Sequence, residues 1–330
     1  MPRMTYSEAV KSAIYDEMRR DPRVFIIGQD AQGIFHSGAI AEFGTQRIRN
    51  APISEGAFVG AGIGAALTGM RPVVELGSST FLYSAMDQII NQAAKNHYMF
   101  GGQASVPLVI RAPALYTIST AAHHSDRPWA LFAQSPGLKV VVPTTPYDAK
   151  GLIKSAIRDG NPVLCFDDVC LSMHMSEVPE GDYTIPLGLA DVKRVGTDLT
   201  VVSIADAVHQ SLTAAKLLAS EKISAEVIDI RTVAPLDRTT ILESVTKTGR
   251  LIVVDPAPGT CSIASEVAAI VAESALEHLK APIMRLTAPD VPVPFSPELE
   301  CLMYPRAERI ATAARRTVGY SFVRGKTRYM

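Results

Sequence analysis

Val24-Phe-Ile-Ile27, the stretch Gly56 to Gly69, and Pro72-Val-Val-Glu-Leu76 decide the fold. A short uninterrupted apolar run is the mark of a strand covered on both faces. The stretch between the two runs is rich in Gly and Ala and long enough for a helix. The same alternation continues outward. Ala85 to Tyr98 reads as a helix, Val106 to Ile110 and Lys139-Val-Val-Val142 as strands, and Pro162 to Phe166 as another strand. Thr145-Pro146 opens a helix running to Asp159, with Pro at its first position. At the start, Thr5 and Glu8 form a capping box. Ala9, Val10, Ala13, Ile14 and Met18 supply the apolar face of a helix that Asp21-Pro22 ends. Apolar strands alternating with helices predict an α/β fold, a parallel sheet sandwiched by helices.

Met175 to Thr197 breaks the alternation with Pro179, Gly181, Pro186, Gly188 and Gly196. It reads as a connection. Beyond it the pattern resumes, with strands at 200–204, 225–230, 251–254 and 283–286 and helices near 207–219, 238–247, 262–279 and 307–315. The expected organisation is a first domain over 1–175, a linker over 176–197 and a second, smaller α/β domain over 198–330. A chain of 330 residues agrees, at ~150 residues per domain.

Composition excludes several classes. Hydrophobic residues are 47% and charged residues 20%, which a disordered chain would not show. The net charge of −1 gives no global basic field for nucleic acid. The uncharged stretch between Glu55 and Arg71 is shorter than the ~20 residues of a membrane span. Met1 to Val10 shows no basic region followed by an apolar run, so no signal peptide is read there. Cys165, Cys170, Cys261 and Cys301 lack zinc-site spacing and are expected to be small buried residues of a reducing compartment. A cytoplasmic protein without nucleic-acid or membrane partners is the expectation.

Few motifs stand alone. Gly60-Ala-Gly62-Ile-Gly64 partly fits a dinucleotide fingerprint, but no clear strand precedes it. It reads instead as a helix face that another backbone can approach. Glu55 heads this helix. A carboxylate there is ordinarily a dipole partner, yet its neighbours are apolar, and a buried carboxylate needs a partner or a function. His123-His124-Ser125-Asp126 follows an uncharged, aperiodic stretch, a loop able to deliver one imidazole into a cleft. Adjacent His side chains diverge, which makes the pair a poor metal site.

Taken together, the motifs carry a resemblance. They are Pro52-Ile-Ser-Glu55, Asp87-Gln-Ile-Ile-Asn-Gln-Ala-Ala-Lys95, His124-Ser125 with Pro136-Gly-Leu-Lys-Val-Val141, Tyr147-Asp-Ala-Lys-Gly151 and Pro289-Asp-Val-Pro-Val-Pro-Phe-Ser-Pro297. The set, in order from about residue 4 to 317, resembles the beta subunit of the thiamine-diphosphate-dependent decarboxylase component of 2-oxo acid dehydrogenase complexes. The resemblance implies a transketolase-like pyrimidine-binding domain followed by a transketolase C-terminal-like domain. It implies that Glu55 hydrogen-bonds N1′ of the cofactor's aminopyrimidine, promoting the imino tautomer that accepts a proton from the thiazolium carbon. It implies that His124 serves proton transfer as an acyl group passes to a lipoyl arm, that Ser79 and Phe81 contact the cofactor, and that His123 and Arg127 are substrate-pocket candidates. Ala156, Ile157, Asp159 and Asn161 match a loop that holds K⁺ in several relatives; alternatively they form a helix end with an Asx turn.

The family's diphosphate site uses Mg²⁺ on Gly-Asp-Gly followed by Asn. Here Gly181-Asp182 is followed by Tyr183, and no Gly-Asp-Gly occurs. The resemblance therefore implies that an alpha subunit holds Mg²⁺ and the diphosphate, in an assembly of two alpha and two beta chains that includes a second copy of this chain. Two rivals are a two-component transketolase-like enzyme and a non-catalytic scaffolding subunit. Docking on a lipoyl acyltransferase is in question, because Val323-Arg-Gly-Lys-Thr-Arg-Tyr-Met330 is basic, like that partner's binding domain. The chain departs from the family at Gly77, Ser78, Ser79 and Thr80, where aromatic, Met and acidic or amide residues are usual. It departs again at Asp126 to Trp129 and at Gln134. An altered pocket is expected, in which Arg127 meets a substrate anion or forms a surface ion pair.

Overall fold

A computed structural model describes residues 2–321. The basic tail Val323–Met330 lies outside the described residues. The chain forms two compact units. The first is Met1–Leu189 with Arg231–Leu236 and Pro292–Leu302; the second is Ala190–Ile230, Asp237–Val291 and Met303–Met330.

In the first unit a seven-stranded sheet runs in the order Thr232–Ala234, Lys139–Val141, Val163–Asp168, Val109–Ala114, Arg71–Glu75, Val24–Gln29, Ile48–Ala51. All neighbours are parallel except Thr232–Ala234, which pairs antiparallel with Lys139–Val141. Helices Tyr6–Arg20 and Pro146–Arg158 pack together, and Val10, Ile14, Met18, Ile153 and Ile157 join the strand residues in one apolar core. Both helices start as the sequence indicates. The Thr5 hydroxyl accepts from Glu8 N while Glu8 accepts from Thr5 N, and the Thr145 hydroxyl accepts from Asp148 N.

Helix Glu55–Leu67 packs against strand Arg71–Glu75. A Cβ at Gly62 would lie 2.6 Å from Val74 Cγ2, so the helix can approach the sheet only because this residue is glycine. The fingerprint spacing thus serves close packing. The edge strand Ile48–Ala51 precedes this helix and escaped the sequence reading because Arg49 and Asn50 are exposed and break the apolar run. The expected helix Ala85 to Tyr98 is instead a 3₁₀ segment Ser79–Ala85, a π turn Gln88–Ala93 and a short α turn Asn96–Met99.

The second unit holds a five-stranded sheet in the order Met284–Ala288, Leu251–Pro258, Leu199–Ser203, Ala225–Asp229, Asp191–Arg194. Its last strand is antiparallel and lies inside the stretch read as a connection. Of the cysteines, Cys165 is buried and Cys170 half-buried. Cys261 and Cys301 are exposed, which corrects the expectation that all four are core residues. No described helix is long and apolar enough to cross a membrane.

Charged residues are built into the ends of the central strands of the first unit. The Arg111 guanidinium lies between two carboxylates, donating to Glu75 and to Asp167, the latter from Nη2 at 2.6 Å and Nε at 3.0 Å. Tyr6 donates its hydroxyl hydrogen to Asp167 at 3.1 Å. His36 Nε2 and Glu75 share a hydrogen bond of 2.7 Å, and His36 Nδ1 and the Tyr15 hydroxyl one of 2.8 Å. Burial alone would raise the Glu75 carboxyl, but the Arg111 charge and the His36 hydrogen bond hold it at about 2. Burial and the Asp167 charge push the Tyr6 hydroxyl well up. A cavity of about 230 Å³ opens beside Tyr6, His36, Arg111 and Asp168.

Removing one member of a buried ion pair strands its partners in a poor solvent, at a cost of about 3–5 kcal/mol. Arg111→Met is expected to lower the unfolding temperature in scanning calorimetry by several degrees; an unchanged transition would contradict the assignment. Glu75 titrates lower folded than an unfolded glutamate, whose value is near 4.5. Its contribution is therefore complete above about pH 4.5 and lost as pH falls toward 2. The penalty of Arg111→Met should shrink across that acid window.

Candidate active site

Glu55 is the first residue of helix Glu55–Leu67. Its N-cap, Ser54, has φ −162° and contributes no side-chain cap, so first-turn N–H groups remain for other acceptors. Glu55 is half-buried, and its carboxylate makes no hydrogen bond or ion pair with the described residues. The apolar burial inferred from its neighbours is thus not supplied by this chain alone. Gly56 brings the helix start against the 3₁₀ segment, since a Cβ there would lie 3.3 Å from the Ser84 carbonyl oxygen.

That 3₁₀ segment carries Ser79 and Phe81 and meets the histidine loop. The rings of Phe81 and His124 contact edge-on, with centroids 5.5 Å apart and planes at 70°. Three consecutive hydroxyls hold the loop by its carbonyl groups. Ser78 donates to His124 O at 3.2 Å, Ser79 to Asp126 O at 2.6 Å and Thr80 to His123 O at 2.5 Å. Tyr83 adds a hydrogen bond to the Asp126 carboxylate at 2.9 Å; burial first, and then that carboxylate, raise its hydroxyl above the usual tyrosine value. Ser78, Ser79 and Thr80 thus hold the backbone of the histidine loop at residues 123, 124 and 126.

The structure orients the two histidines differently. His124 is half-buried against Phe81, whereas His123 is exposed. Arg127 is only 4% exposed, with its guanidinium carbon 4.1 Å from the centre of the Tyr116 ring. It is an interior cation over an aromatic face, which corrects the surface position weighed for it. Ser79 is wholly buried with its hydroxyl turned to the loop.

At the loop matched to K⁺ sites, the carbonyl oxygens of Ile157 and Asp159 accept from Arg71 Nη1 at 2.7 and 2.9 Å. The Asp159 carboxylate accepts from Asn161 N at 2.9 Å and from Lys139 Nζ at 2.5 Å. Ala156 O accepts from Asp159 N in the helix end. Protein cations already face these oxygens. Asp182, of the incomplete Gly-Asp-Gly, pairs with Arg158 at 2.8 Å and Lys154 at 3.1 Å. The Arg158 hydrogen bond, foremost, holds its carboxyl at about 2. Among the described residues no group of three His, Cys, Asp or Glu side chains could hold a metal ion.

Sequence reasoning missed Arg111 and Asp167. A signal was present: each directly follows an apolar strand run, on adjacent parallel strands. Thr80→Val keeps the shape of the side chain and leaves His123 O without its donor. An unsatisfied buried group costs about 1–3 kcal/mol. Hydrogen exchange across residues 121–127 should accelerate by roughly 10-fold; unchanged exchange would show that the hydroxyl does not hold the loop.

The pattern of two units has counterparts. Residues 2–167 match the transketolase pyrimidine-binding domain, and 188–310 match the transketolase C-terminal domain. The chain is 47% identical over 325 residues to the beta subunit of an acetoin:2,6-dichlorophenolindophenol oxidoreductase of Cupriavidus necator, covering 94% of this chain and 96% of that one. It is 44% identical to the 2-oxoisovalerate dehydrogenase subunit beta of Bacillus subtilis, covering 94% of this chain and 98% of the relative. It is 42% identical to the pyruvate dehydrogenase E1 component subunit beta of the same organism, over 97% of this chain and all of the relative. A split-gene transketolase, solved as an inactive beta4 tetramer, shares the fold with a TM-score of 0.78 at 22% identity, covering 96% of this chain and 98% of its own. With these lengths and identities, the chain belongs to the family of E1 beta subunits of 2-oxo acid dehydrogenases, built from the transketolase pyrimidine-binding and C-terminal domains.

Proposed function

We propose that this chain is the beta subunit of a thiamine-diphosphate-dependent 2-oxo acid dehydrogenase that decarboxylates its substrate and passes the acyl group to a lipoyl carrier. The observation that carries the reading is Glu55. It is a half-buried carboxylate at a helix start, without a partner among the described residues, placed beside the segment bearing Phe81.

The residues present fit one half of the cofactor. Glu55 offers a charged acceptor to a ring nitrogen, and Phe81 offers an apolar face. No cluster of ligands for a divalent ion exists among the described residues, and Asp182 is committed to Arg158 and Lys154. Because the sequence has no Gly-Asp-Gly, this reading assigns the diphosphate and its Mg²⁺ to an alpha subunit, in an assembly of two alpha and two beta chains. Residues from that partner would complete the desolvation that this chain leaves unfinished at Glu55. When bound, thiamine diphosphate supplies the carbon nucleophile that makes decarboxylation feasible. Glu55 holds the aminopyrimidine by a charge-assisted hydrogen bond, which strengthens as water is excluded. His124, steadied against Phe81, moves a proton during acyl transfer, a contribution typically worth ~10²–10⁴-fold. His123, exposed on the same loop, is the substrate-facing residue. The Ile157 and Asp159 carbonyls are already served by Arg71, so K⁺ is not needed to neutralise them and is not part of the proposal.

Glu55→Gln is nearly isosteric and loses the charge. In the co-expressed alpha–beta complex it should reduce thiamine-dependent decarboxylation by roughly 100-fold or more, while the complex still assembles. Screening 2-oxo acids with this pair of enzymes identifies the substrate at the same time. A near wild-type rate in the variant would leave Glu55 a helix-terminus residue only.

A further inference from the structure

The histidine loop is held at both ends, and one holder lies far away in sequence. Thr117, Ser119 and Ala121 adopt φ of 63°, 59° and 61°. Non-glycine residues enter this left-handed region at a cost, and a run of three alternating positions persists only when surrounding contacts impose it. At two of these positions, Thr117 and Ser119, the contact is with Glu300. It is 1% exposed, and its two carboxylate oxygens accept separately from Thr117 N at 2.6 Å and Ser119 N at 2.9 Å. Charge-assisted bonds from backbone N–H groups to a buried carboxylate are among the stronger hydrogen bonds in a protein. Inside the loop, Ser125 donates to Ala121 O at 2.7 Å and shares a 3.0 Å hydrogen bond with Thr120, which closes the turn on the residue after His124. Ser78, Ser79 and Thr80 then take the carbonyls of residues 123, 124 and 126.

From this geometry we propose that Glu300 is a positioning residue for His124, fixing the loop at residues 117–119 so that the imidazole is held ready against Phe81. It acts by clamping the backbone from which His124 projects. Glu300 belongs to Pro292–Leu302, a segment of the first unit that lies far along the chain from the histidine loop. The inference rests on the reading of His124 given above.

The test uses the assembled alpha–beta complex. Glu300→Ala and Glu300→Gln are compared with His124→Ala and with Glu298→Gln, a change at an exposed neighbour. Two quantities are read: hydrogen exchange of residues 115–126, and acyl transfer to a lipoyl acceptor set against decarboxylation coupled to an artificial electron acceptor. Glu300→Ala should speed exchange at Thr117 and Ser119 at least 10-fold and cut the transfer kcat by roughly 10- to 100-fold. The KM for the 2-oxo acid should stay within about twofold, because the clamp does not touch substrate. Glu300→Gln keeps one acceptor oxygen and should fall between Glu300→Ala and wild type, which also covers a failure of Glu300→Ala to fold. Glu298→Gln should match wild type in both readouts. Unchanged exchange in both Glu300 variants, or normal transfer where His124→Ala is slow, overturns the clamp. Normal transfer in His124→Ala overturns instead the role of His124 on which the clamp depends.

Discussion

Arg111 between Glu75 and Asp167 is the constraint on which the first unit turns. The three residues sit on three adjacent parallel strands, so the ion pairs tie together the strand ends from which the site's loops depart. A buried carboxylate pair around one cation is tolerable only when each oxygen finds a donor. Tyr6 and His36 complete that requirement and draw in the first helix and the segment after Gln29. The segment that follows Glu75 then begins from a fixed point, and it is this segment that delivers Ser78 to Phe81.

From there the site is assembled by backbone acceptors and short side chains. Ser78, Ser79 and Thr80 bond carbonyls of the histidine loop, and Glu300 bonds its amides. A loop held through its main chain tolerates change in its side chains. In this chain the ring of His124 keeps an edge-on contact with Phe81. Arg127, on the same loop, is buried with its guanidinium over the Tyr116 ring.

Much of the fold was legible because its signals are local. The capping box at Thr5, Pro146 at a helix start and the unbroken apolar runs each report a nearby physical preference, and the strands and helices lie where these place them. The strands that escaped are edge strands. Ile48–Ala51 exposes polar residues, and Thr232–Ala234 is too short to show a period. At the site, Glu55 and His124 could be named from motifs, but their environments could not. The partial exposure of Glu55 and the burial of Arg127 depend on contacts between distant parts of the chain. The Glu300 clamp joins residues 183 and 181 positions apart, and no local pattern encodes it.

Under the proposed function this chain would supply one half of a cofactor site. Glu55 stands without a partner, and no divalent-ion cluster accompanies it among the described residues. The central claim is that the cofactor site exists only between chains. Isothermal calorimetry with thiamine diphosphate and Mg²⁺ tests it most directly, comparing this chain alone with the chain co-purified with its alpha subunit. The account predicts no measurable heat of binding for the isolated chain at micromolar concentrations and saturable tight binding for the pair. Equally tight binding by the isolated chain would contradict it.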